Sequence, residues 1–83
     1  MNQQQAIQLV EQHLNRHQPK EYRLHVIPGA TRNEDDWWYV CVGPDRDNIR
    51  RYDYYDVLAQ ISREIEDEDD VNITLLPPPS GAA

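Results

Sequence analysis

The chain has 83 residues, 39% hydrophobic and 28% charged, which suits one small folded domain and is too apolar for a wholly disordered chain. Its net charge of −7 is concentrated in residues 53–83, where Arg63 stands against eight acids, so the surface repels a polyanion and nucleic acid is not an expected partner. The longest uninterrupted apolar run, Trp37 to Val42, is far short of the ~18–20 residues that span a bilayer, which excludes a membrane-spanning helix.

Asn2 followed by Gln5 has the form of a capping box, and Ala6, Ile7, Val10, Leu14 and His17 recur at spacings of three and four, which predicts a helix over 3–17. Pro19 cannot continue it. Tyr22 to Ile27 alternates apolar with polar side chains and stops at Pro28-Gly29, a strand followed by a turn. Trp37 to Val42 is aromatic and β-branched and stops at Gly43-Pro44-Asp45, a second strand. The two are expected to form a hairpin through the polar connection from Pro28 to Asp36, long enough to be a mobile, functional loop. Asp53 is expected to cap a second helix, with Asp56 in its first turn and Tyr54, Val57, Leu58, Ile61 and Ile65 as its apolar stripe. Val71 to Leu76 alternates as a third strand, closed by three prolines.

The expected fold is α+β: a two-layer α-β-β-α-β arrangement, with a three-stranded sheet, two helices packed on one face and the first strand in the middle. Residues 1–76 form the single domain, and 77–83 an extended or disordered proline-rich tail. Alternation assigns Tyr22, Leu24, Val26, Trp38, Val40, Val42, Val71, Ile73 and Leu75 to the helix-covered face. The other face then shows Arg23, His25, Ile27, Trp37, Tyr39, Cys41, Asn72, Thr74 and Leu76, an aromatic patch with a polar rim, as interaction surfaces have. A register error of one residue would exchange part of this assignment.

Glu64, Glu66, Asp67, Glu68, Asp69 and Asp70 crowd the C-terminal end of the second helix, against the helix dipole and against one another. Such an end is either a solvated terminus or a charged surface for a basic partner. Arg46, Arg50 and Arg51 precede the same helix, where salt bridges with Asp45, Asp47 and Asp53 explain them most simply. They are also the candidates for holding a small anion, although no glycine-rich loop accompanies them.

Metal and catalytic signatures are weak. The segment from Asp45 to Asp56 has aspartates at the first, third and twelfth places of a calcium loop, but Ile49 occupies a ligand position and Arg50 the place of the turn glycine. His13 and His17 are four apart, a spacing that lets two imidazoles share a metal ion, yet the sequence fixes no third ligand. His25 and Cys41 fall on one sheet face, a poor cleft for a thiol–imidazole pair. No phosphate loop, dinucleotide fingerprint or nucleophile elbow is present. No enzyme activity, metal or cofactor is therefore expected.

The expected function is protein–protein interaction, as an adaptor, inhibitor or immunity-type antagonist. Its candidate contacts are the acidic helix end (Glu64, Glu66, Asp67, Glu68, Asp69, Asp70) and the open face (Arg23, His25, Trp37, Tyr39), with a basic protein as partner of the acidic end. One alternative is a homodimer with a ligand groove at its interface; another is an anion or metabolite binder using Arg46, Arg50 and Arg51. The lone Cys41 and the lack of a signal-peptide pattern at the start suit the cytoplasm.

Overall fold

The computed structural model describes residues 2–46 and 49–78, with the backbone alone at positions 28 and 51. Helix α1 spans Gln3–Arg16 and opens with the expected capping box. The Asn2 side chain accepts from the Gln5 amide at 2.8 Å, and Gln5 Oε1 accepts from the Asn2 amide at 3.0 Å. Helix α2 spans Arg51–Asp69 and begins earlier than Asp53 implies. Arg50 holds the N-cap position without a side-chain cap bond, so Asp53 is a first-turn acid favoured by the dipole and does not cap. Asp70 ends α2 in the left-handed conformation, with φ 53° and its amide donating to the Glu66 carbonyl at 3.1 Å.

The strands are β1 (Leu24–Glu34), β2 (Trp37–Pro44) and β3 (Ile73–Leu76), in the order β1-β2-β3. The class and three-strand count are as expected, while the middle position belongs to β2 and the first strand is at an edge. Composition accounts for the exchange. β2 carries the longest apolar run, and β1 contains Pro28, which lacks an N–H, and a polar end from Thr31 to Glu34, both suited to an edge. β1 and β2 are antiparallel, whereas β2 and β3 are parallel, with α2 as the long crossover that parallel pairing requires.

The long hairpin loop also gives way to a different solution. Pro28-Gly29 does not turn the chain; it lies in an irregularity between Val26 and Thr31, where pairing with β2 shifts. Gly29 is left-handed there at φ 76°, and the Thr31 hydroxyl oxygen is buried without a partner among the described residues. The turn itself is the two residues Asp35-Asp36 between the paired Glu34 and Trp37, with Asp35 at φ 55°. Aspartate tolerates that conformation better than most residues, which is how two acids come to sit at the hairpin tip.

The core lies between the sheet and both helices. Ala6, Val10 and Leu14 of α1 meet Tyr54, Leu58, Ile61 and Ile65 of α2, together with Leu24, Val40, Val42, Ile73 and Leu75 of the strands. Tyr22, Val26, Trp38 and Val71 pack around them, so the predicted helix-covered set is the observed one. Tyr22 and Tyr54 meet edge to face at 6.5 Å. Between α1 and β1, the Gln18 amide side chain both donates to and accepts from the Leu24 backbone at 2.8 Å, fixing where the strand begins. On the opposite face, a methyl on Gly43 would lie 2.6 Å from Pro78 Cγ, so this glycine admits the start of the proline segment. Residues 79–83 of the expected tail lie outside the described residues.

One side chain ties β3 to α2. Ser62 Oγ donates to the Leu58 carbonyl and accepts from the Leu75 amide, each at 3.0 Å. Replacing Ser62 with Ala leaves a partly buried strand amide unpaired and is expected to cost about 1–3 kcal/mol, read as a lower urea midpoint at unchanged slope. Ile61→Ala, which empties a fully buried position, is expected to cost about 2–5 kcal/mol in the same measurement.

Candidate functional site

The acidic end of α2 divides by helical period into an inward and an outward set. Glu64, Glu68 and Asp69 turn toward α1, where they meet three basic side chains. His13 is central to this cluster. It is only 3% exposed, with Nδ1 2.5 Å from Glu64 Oε1 and Nε2 2.8 Å from Asp69 Oδ2. His17 Nε2 lies 2.7 Å from the other Glu64 oxygen, and Arg16 reaches Glu64 at 3.4 Å and Glu68 at 3.2 Å. The local rule broken by the acidic run is thus repaired by α1.

Both ring nitrogens of His13 face carboxylate acceptors, so both contacts are satisfied as donated hydrogen bonds when the ring is protonated. Burial lowers its pKa, but the hydrogen bonds to Glu64 and Asp69 outweigh burial and raise it above the ordinary 6.5. Glu64 is held down to about 2 by its hydrogen bonds to His13 and His17. One imidazole nitrogen and carboxylate oxygens of Glu64 and Glu68 all lie within 4.8 Å of one another, close enough to share a cation.

The outward set, Glu66, Asp67 and Asp70, is exposed and makes no ion pair with any described residue. Asp70 joins the two hairpin-tip acids. A shallow cleft of about 340 Å³ is lined by Asn33, Asp35, Asp36, Trp38, Asp70, Val71 and Asn72. Two bonds hold this convergence: the Trp38 amide donates to the Asn72 carbonyl at 2.9 Å, and Asn33 Nδ2 donates to the Trp37 carbonyl at 3.1 Å. Asp35 and Asp70 are the two non-glycine residues with positive φ among those described, and both line this cleft. Trp37, adjacent in the chain, is 42% exposed. The result is an acidic pole at the hairpin end of the sheet, where β2 begins with the exposed Trp37.

The open-face candidates are not brought into one patch. Arg32 stacks over the Tyr39 ring at 5.0 Å and pairs with Glu34 at 3.5 Å, at the same end as Trp37. His25 pairs across the sheet with Gly43, six residues along β2 from Trp37, about 20 Å away at strand rise. Arg23 precedes β1 at that far end and lines a separate cleft with His25 and Asp45. His25 Nδ1 contacts the Val26 carbonyl at 3.3 Å, and no hydrogen bond joins it to Cys41 among the described residues. Arg46 and Arg50 are exposed, while the Arg51 side chain, Asp47 and Asn48 lie outside the described residues.

Sequence reasoning selected the acids of α2 without separating the two sets, and placed His17 on the apolar stripe where His13 is the buried one. The hairpin acids Asp35 and Asp36 were missed as site residues; their signal was the pair of acids directly before Trp37. The site and core together define a two-layer α+β domain with a three-stranded mixed sheet. No family model, curated protein or solved structure matches the chain.

The cluster gives stability a pH dependence with two limbs. Glu64, depressed to about 2, contributes fully above its ordinary 4.5 and loses that contribution as pH falls through the folded value. His13, raised above 6.5, contributes fully below 6.5 and loses that contribution as pH rises through its folded value. The unfolding temperature in chelator-containing buffer is expected to be highest between those two ordinary values and to fall on either side. His13→Gln should flatten the alkaline limb; a wild-type midpoint that is constant across neutrality contradicts this account.

Proposed function

We propose that the chain is a protein-interaction module that receives a basic segment of another protein at its acidic pole. The observation that carries the reading is the convergence of Asp35 and Asp36 with Asp70, distant in sequence, on one cleft, with exposed Trp37 following Asp36 in the chain. Carboxylates without internal partners attract a cationic segment and steer its approach, and an exposed indole face accepts an arginine or lysine head. Glu66 and Asp67 extend the negative field along the last turn of α2. Glu64, Glu68 and Asp69 are ion-paired to α1 and are therefore less available to a partner than the unpaired acids. An adaptor or an inhibitor of a basic protein has this chemistry.

Self-association through the open sheet face has less to rest on. Tyr39, Cys41 and Leu76 are half-buried, and Pro78 lies against Gly43 at the His25 end of that face.

Asp35→Asn, Asp36→Asn and Asp70→Asn combined remove the charge while keeping side chains that tolerate left-handed backbone. The folded variant is expected to capture its partner from native lysate at a rate lower by about tenfold or more, with most of the salt dependence of wild type lost. Equal capture by both proteins, or capture insensitive to salt, overturns the proposal.

A further inference from the structure

The inward cluster has a second capability that does not depend on the acidic-pole reading. We propose that His13, His17, Glu64 and Glu68 form a site for one divalent transition-metal ion of the zinc type, between the C-terminal halves of α1 and α2.

The donor set comes from two pairs at the same spacing in sequence. His13 lies in the last turn of α1 with His17 as its C-cap, and Glu64 and Glu68 are four apart on one face of α2; the ion pairs show that both sets meet between the helices. Ligand atoms of His13, Glu64 and Glu68 are already within 4.8 Å of one another, and His17 Nε2 is 2.7 Å from Glu64 Oε2. The first three donors therefore share one small volume, and His17, outside that set, is joined to it through the second oxygen of Glu64. Two imidazoles with carboxylates suit zinc rather than magnesium or calcium, which favour oxygen alone.

Asp69 supplies the orienting contact. Its carboxylate lies 2.8 Å from His13 Nε2, which assigns the ring proton to that nitrogen and turns the Nδ1 lone pair toward Glu64. Carboxylate–histidine–metal triads are built this way. A lone pair and a carboxylate oxygen in contact require a cation between them. In the metal-free protein that cation is a proton, and a metal ion can replace it with proton release.

The adjustments needed are small for the three clustered donors, and His17, 24% exposed, turns in from the rim as the fourth. Donors around a tetrahedral zinc are about 3.3 Å apart for bonds of about 2 Å, so the His13–Glu64 pair has to open by under about 1 Å. Arg16, whose side chain is 57% exposed, bonds Glu64 and Glu68 at present and is free to swing into solvent. Glu68 is 51% exposed and His17 24%, so the ion has a route in from the surface. The negative ends of both helix dipoles lie on the same side as the cluster and favour the added charge.

The test is a calorimetric titration of Zn²⁺ into the tag-free, metal-stripped full chain, with unfolding temperature read in parallel. One ion per chain, proton release and a rise in unfolding temperature are expected. Co²⁺ should give visible ligand-field bands without a thiolate charge-transfer band in the near ultraviolet. His17→Gln and Glu68→Gln, at the rim, retain the helical signal and are expected to weaken Zn²⁺ binding by at least about tenfold, and Asp69→Asn by about 10–100-fold. Asp35→Asn with Asp36→Asn, at the acidic pole, should leave it unchanged. Absence of saturable binding, a thiolate band, or equal affinity in wild type and both rim variants overturns the site.

Discussion

His13 places an imidazole in the interior with a carboxylate at each nitrogen, and the joint between the two helices depends on keeping that ring satisfied. Removing either carboxylate leaves a charged group buried with half its partners, and removing the ring leaves Glu64 and Asp69 facing each other. The same contact makes the rest of α2 tolerable. A helix with an acidic last turn, opposed by its own dipole, is stable here because α1 brings His13, Arg16 and His17 against it. The two helices are thus complementary in charge as well as in their apolar stripes.

A single run of acids therefore performs two tasks because a helix has a period of 3.6 residues. Positions 64, 68 and 69 lie on the side of α1 and neutralise a neighbour, while 66, 67 and 70 make no ion pair among the described residues. The chain adds to the outward set from elsewhere, by turning the β1–β2 hairpin on two aspartates and bonding β2 to the linker before β3. What looks in sequence like one block of charge is, in the fold, an internal ion-pair cluster and half of an external surface.

The helices, the covered sheet face and the architecture were legible because each rests on periodicity: Ala6, Val10 and Leu14 on one helix, Tyr54, Leu58, Ile61 and Ile65 on the other, and Val40 and Val42 in β2. Strand order was not. Pro28-Gly29 has the composition of a turn, and nothing local reveals that the sheet absorbs it as an irregularity and turns at Asp35-Asp36. Once that loop is misjudged, β1 is too short and its claim to the sheet centre looks stronger than it is. The site was legible only in its residue types. His13 and His17 carry the spacing of a shared ligand pair, but the partners that give them meaning are about fifty residues away and depend on how α2 packs.

The hydroxyl of Ser62 bears on the manner of recognition as well as on stability. β3 is a four-residue edge strand, and the Leu75 amide is already taken by that hydroxyl. At the other edge, β1 is interrupted by a proline and ends in charged side chains. Neither edge is a good template for an incoming extended peptide, whose affinity would come from main-chain pairing. Under the proposed reading, a partner would be met through side chains and surface charge, arriving as a helix or a loop without first being drawn out into a strand.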